Sequence, residues 1–223
     1  MKDNKKFEYE IIRSKIKNMY ILIKDGKVRV KAPINVSDDK IDKFINLKED
    51  WIVKKLIESR NKLKKEKKYI DGEVFKVLGD DYILKIQYGN LKKAVLNLDN
   101  GYINLNISDN YSIDEIKALI EKMYYKIALS VVDKTVNRWI GILNISPDVV
   151  VIKKLKTAWG KCNSKKKITI NPDLMEYEQK VVDYVVLHEF CHLIHMNHSK
   201  DFWNMLCKYM PDYKKVRSKL RHE

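Results

Sequence analysis

The chain of 223 residues carries 45 Lys and Arg against 30 Asp and Glu, a formal net charge of +15 with a pI near 9.5, and is long enough to bury one substantial core or two small ones. No apolar run approaches the roughly 18–20 residues that cross a bilayer, and residues 1–10 (Met-Lys-Asp-Asn-Lys-Lys-Phe-Glu-Tyr-Glu) lack the apolar core of a signal peptide. Cys162, Cys191 and Cys207 are odd in number and form no Cys-x-x-Cys pair, which argues against a disulfide framework or a cysteine zinc module and favours a reducing cytoplasm.

In chain order, residues 7–12, 19–23 and 28–30 are short alternating runs, and Asp25-Gly26 between the last two signals a hairpin. Ser37 caps an expected long helix, carrying Ile41, Phe44, Ile45, Ile52 and Leu56 and reaching about residue 65. The lysine run at 62–68 would close it, where cations favour terminal carbonyls. Strand-like pieces return at 68–70, 73–78, 82–88, 93–98 and 103–107, separated by Asp71-Gly72, Gly79-Asp80 and Gly89-Asn90. From Ser112 the pattern turns helical. Ser112 and Glu115 form a capping box, and Ile116, Leu119, Ile120, Met123, Ile127, Val131 and Val132 keep helical spacing towards Ile140, with Gly141 as the expected stop. Residues 149–152 and 168–171 read as strands on either side of a Trp159-Gly160 loop, and Pro172-Asp173 ends the second. The reading is α+β: a small β-rich N-terminal domain with one helix over 1–110, then a helical domain over 111–223.

Residues 188–198 read His-Glu-Phe-Cys-His-Leu-Ile-His-Met-Asn-His. On a helix His188 and His192 project from one face and can share a metal ion, while Glu189 stands beside a water on that metal. The preceding stretch is amphipathic, so both histidines are expected to face inward, where a cation is the simplest partner for them. Two nitrogen ligands, a third from elsewhere and an open position for water make a catalytic zinc site. The third ligand is assigned to His198, ten residues after His188, in preference to His195. His195 reads as a partly buried or supporting group, and Asn197 as a residue able to end the helix in a left-handed conformation.

The run 188–203, ending Asn197-His198-Ser199-Lys200-Asp201-Phe202-Trp203, resembles the YgjP-like metallopeptidase family, related in turn to the SprT-like proteases. So does the upstream Thr157-Ala158-Trp159-Gly160-Lys161-Cys162-Asn163 with Ile168-Thr169-Ile170 after it, and so does the N-terminal Asp25-Gly26-Lys27-Val28-Arg29-Val30 running into Ala32-Pro33. Lys161 departs from the Trp-Gly-Ser-Cys common at that place. The resemblance implies a zincin-like minimal metalloprotease domain over 111–223, zinc held by His188, His192 and His198, Glu189 as general base, and a protein or peptide as substrate.

Three functions follow as expectations: a cytoplasmic zinc peptidase, a protease brought to DNA-bound proteins by a basic surface that binds nucleic acid non-specifically, and a non-catalytic zinc scaffold closed by a fourth ligand such as Cys162. For substrate, Ile168-Thr169-Ile170 is taken as a free strand edge that pairs with an extended peptide, and Trp159 as a residue lining the same cleft. Phe202 and Trp203 are expected to pack under the loop carrying His198, and Tyr209 and Tyr213 to pack rather than catalyse.

Overall fold

A computed structural model describes residues 7–65 and 67–221, and the chain divides into two compact units, Met1–Lys67 and Lys68–Glu223. Residues 1–6, read above for a signal peptide, lie outside the described residues, as do several side chains of the lysine run at 62–68.

In the first unit, β1 (Tyr9–Ser14), β2 (Tyr20–Lys24) and β3 (Lys27–Pro33) form a sheet ordered β1-β3-β2. The Asp25-Gly26 turn joins β2 to β3, both residues at positive φ (52° and 67°), as a tight hairpin matching strand twist requires. β3 is central, and its inward set of Val28, Val30 and Ala32 is almost fully buried. Against it pack Ile41 and Ile45 of α1 (Asp38–Leu47) and Ile52 and Leu56 of α2 (Glu49–Lys65). The single helix expected from Ser37 is therefore two. Lys48 breaks it at φ −110°, ψ 8°, so that both apolar pairs reach the same core.

The second unit opens with a four-stranded sheet, β4 (Val74–Val77), β5 (Asp80–Tyr88), β6 (Val95–Asp99) and β7 (Tyr102–Ile107), in the order β4-β5-β7-β6. Residues 68–70, expected as a strand, are irregular. Helix α3 (Ile113–Leu143) follows, opened by the Ser112–Glu115 capping box. It passes through Gly141 and stops at Asn144 in the left-handed conformation, with the Asn144 N–H on the Ile140 carbonyl. A second sheet, β8 (Val149–Ile152), β9 (Gly160–Cys162) and β10 (Lys167–Ile170), has the order β8-β10-β9. After a 3-10 turn at Pro172–Glu176 come α4 (Gln179–His192), α5 (Lys200–Tyr209) and α6 (Tyr213–Ser218).

One core joins these parts. Ile103, Leu105 and Ile107 of β7, Ile116 and Ile120 of α3, Ile168 and Ile170 of β10 and Val182, Val186 and Phe190 of α4 all bury together. The division between units thus falls at 67/68 rather than at 110/111, because β4–β7 share their hydrophobic face with α3 instead of closing a core of their own. α4 departs from a simple amphipathic helix. Val181, Val182, Tyr184, Val185, Val186, Leu187, Phe190 and Cys191 are buried all round it, as in a helix wrapped by its own domain. Among the described residues no helix is long and apolar enough to cross a membrane.

Candidate metal centre

His188 and His192 lie one turn apart on the last stretch of α4, and both remain half-buried rather than facing the core. α4 ends at His192, where the Leu193, Ile194 and His195 N–H groups close a tight turn onto Phe190 and Cys191 carbonyls. Asn197, expected to stop the helix in a left-handed conformation, lies beyond this turn and has no positive φ. The chain then doubles back to His198, and Ser199 caps α5 by accepting the Phe202 N–H.

That cap holds Phe202 under the loop. Phe202 is fully buried, and its ring meets those of His188, His192 and His198 at 4.9, 4.6 and 4.7 Å between centroids. Trp203 stacks on His198 at 5.5 Å and 22°, and Tyr213 stacks on Trp203 at 5.5 Å and 19°. The aromatic residues of α5 and α6 thus fix His198, which no helix carries. Tyr209 packs edge-on against Trp139. The expected packing roles of Phe202, Trp203, Tyr209 and Tyr213 all agree with this.

One ligand atom from each of His188, His192 and His198 falls within 4.8 Å of the others. Nε2 of His188 and Nε2 of His198 are 3.1 Å apart. Two nitrogens at 2.0–2.1 Å from one tetrahedral ion are separated by about 3.3 Å, so the spacing already suits a shared cation. The His192 Nδ1 lies 3.0 Å from the His195 carbonyl, which fixes its tautomer and leaves Nε2 a free lone pair. His195 thereby supports the site through its backbone, while its side chain lines a separate cavity with Ile145, Met205 and Lys208. Burial first, then the charges of His192, His198 and Arg217, hold His188 at a pKa of about 3, so its imidazole is neutral and able to ligate. Its Nδ1 is buried without a partner among the described residues. Three imidazoles with converging nitrogens form a donor set that fits a divalent transition metal. Cys162, half-buried, is not part of this group.

Glu189, the residue after His188 on α4, is only 4% exposed. Burial raises its pKa to about 8, opposed by the Cys162 backbone N–H, which donates to the carboxylate. The same burial, with the Glu189 charge, pushes the Cys162 thiol up. The neighbouring strand is shaped to admit this carboxyl group: a Cβ on Gly160 would lie 2.6 Å from Glu189 Oε1.

The strand hypothesis needs correction. β10, which holds Ile168, Thr169 and Ile170, is the central strand, paired with β8 on one side and β9 on the other. Ile168 and Ile170 alternate inward because they fill the core, and neither edge of β10 is free. β8 and β9 are the two edges, and β9 is the one beside Glu189. Asn171 N–H bonds to the Trp159 carbonyl and Asn163 N–H to the Lys167 carbonyl, so in the antiparallel alternation the backbone groups of Trp159, Lys161 and Asn163 face β10. Those of Gly160 and Cys162 face away from it, towards Glu189. The buried Asn171 amide secures the approach to β9 by donating to the Leu155 and Ala158 carbonyls. Trp159, half-buried, packs edge-on against Tyr177 at 5.1 Å and adds nothing to the metal group. Gly160 was missed as a residue of this region: it stood in the quoted loop without a role, because its clearance for Glu189 is set by packing between β9 and α4.

No curated protein matches the chain. Among solved structures it is similar to the metallopeptidase zymogens of Pyrococcus abyssi abylysin (25% identity, 40% of this chain and 90% of that one, TM-score 0.37) and Methanocaldococcus jannaschii jannalysin (25%, 40% and 91%, TM-score 0.36). The family model of the YgjP-like metallopeptidase domain matches residues 17–223, nearly the whole sequence, and the chain belongs to that metallopeptidase family.

Proposed function

We propose that this metallopeptidase is zinc-dependent, with His188, His192 and His198 holding the metal and Glu189 acting as general base in a zincin-like domain. The observation that carries the proposal is the convergence of the His188, His192 and His198 imidazoles, with Glu189 next to His188 on α4 and made unusually basic by burial. Bound there, zinc would supply Lewis acidity and lower the pKa of a coordinated water towards neutrality.

The chain's own residues do the rest. A pKa near neutrality suits Glu189 to take a proton from the attacking water and pass it to the leaving amine. Gly160 gives that carboxyl group room, and the Cys162 N–H orients it. We assign the substrate's extended backbone to the edge strand β9 instead of to β10, since β9 turns the backbone groups of Gly160 and the Cys162 carbonyl away from β10 beside Glu189. Trp159, at the head of β9, is assigned to the same cleft. All three cysteines are free, which supports a reducing, cytoplasmic setting. No element among the described residues favours nucleic acid over peptide as the partner of the basic surface. Glu189→Gln tests the assignment: zinc content should stay at the wild-type level while peptide cleavage disappears, and undiminished cleavage would refute it.

A further inference from the structure

Arg217 stands beside this centre with an unspent charge. It belongs to α6, four residues after Tyr213 and so on the same helix face, which packs on Trp203. Its Cζ lies 5.4 Å from the Trp203 ring, and Trp203 in turn stacks on His198. Arg217 is thus separated from the His198 ring by the Trp203 indole alone. Yet it makes no contact with the imidazole nitrogens.

Nearby cations are neutralised where Arg217 is not. Lys180 pairs with Asp212, Lys219 with Glu178 and Arg138 with Asp183, whereas among the described residues Arg217 has no carboxylate within ion-pair distance. Lys214 and Lys215 are exposed to solvent. A guanidinium of a half-buried residue that lies over an indole is already ordered, with a planar fork of donors able to take a bidentate acid.

We propose that Arg217, on its Trp203 support, is a specificity residue that binds a carboxylate of the peptide substrate, supplied by the chain terminus or by an acidic side chain. The inference rests on the metallopeptidase site proposed above. Its test uses zinc-loaded full-length protein and three dipeptide hydroxamates titrated by calorimetry: one with a free C-terminal carboxylate, one with a neutral residue and a C-terminal amide, and one with a C-terminal glutamate amide. Wild-type protein should bind at least one acidic compound about tenfold tighter than the neutral amide. The free acid identifies the chain terminus as the source, and the glutamate amide identifies a side chain. In Arg217→Met this preference should vanish while affinity for the neutral amide and zinc content hold, and Arg217→Lys should restore part of it. The proposal is overturned if wild type shows no preference for either acid, or if Arg217→Met keeps it. Failure of the neutral hydroxamate to bind zinc-loaded wild type would instead bring down the metal site itself, and this inference with it.

Discussion

Gly160 and Glu189 are fitted to each other across β9 and α4: a single added Cβ at Gly160 would sit 2.6 Å from Oε1 and 2.9 Å from Cγ of the glutamate. Glycine here is a matter of clearance rather than of backbone freedom, because Gly160 does not have a positive φ. Gly160→Ala must push the buried carboxyl group aside. A displacement on the order of 1 Å costs about 100-fold in rate when a reacting group is misplaced. The expected outcome is a fall of that order in kcat/KM with zinc content unchanged, measured on a fluorogenic peptide. Wild-type turnover in this variant would show that the carboxylate's position does not matter.

Glu189→Gln keeps the volume and removes the base. General acid–base catalysis contributes about 100- to 10,000-fold, so cleavage should fall by at least the lower figure while the three imidazoles still hold metal. Stoichiometric zinc in an inactive variant is the signature to look for.

The metal-free protein should show two opposed pH effects on stability. Glu189 rises from 4.5 to about 8 on folding, so between these values the folded state holds a proton that the unfolded state has lost, and stability falls as pH rises. His188 drops from 6.5 to about 3, so between those values the unfolded chain holds the extra proton, and stability is lost as pH falls. Above pH 6.5 only the glutamate effect remains. Denaturant midpoints of apo protein should therefore decline from pH 6.5 to 8, and Glu189→Gln should flatten that decline. An identical slope in both proteins would contradict the burial argument. Loaded zinc should flatten it too, since a nearby dication favours the carboxylate.

Phe202 touches all three imidazoles, so its shape sets where they can sit. Phe202→Leu should cost only about 1 kcal/mol of stability, as volume-tolerant core exchanges do. Loss of a supporting contact lowers metal affinity about 10- to 100-fold, and competition with a chromophoric chelator would reveal it. Unchanged affinity would mean that the loop from 193 to 199 positions His198 unaided.

How far these features could be read in advance depended on their range. The pairing of His188 with His192 is a property of one helical turn, and the offset to His198 is short, so local spacing was enough. β9 was hidden because three residues, Gly-Lys-Cys, carry no alternation, while the alternating Ile168 and Ile170 marked burial and were mistaken for an edge. The division near residue 67 was hidden for a different reason. Whether Ile103 and Leu105 bury against their own sheet or against α3 is decided by tertiary packing, which a local pattern does not contain. Gly141 gave way to Asn144 as the helix stop because a glycine inside a helix costs only about 1 kcal/mol, which packing of α3 offsets. Arg217 reaches the centre through α6 and Trp203, so its place is purely a product of the fold.

The most direct measurement is metal content by elemental analysis on purified wild type beside His188→Ala and His198→Ala. The account predicts about one zinc per wild-type chain, lost from both variants. Zinc retained in His198→Ala would contradict the third ligand, and a wild type that takes up no metal when supplied with zinc would contradict the centre as a whole.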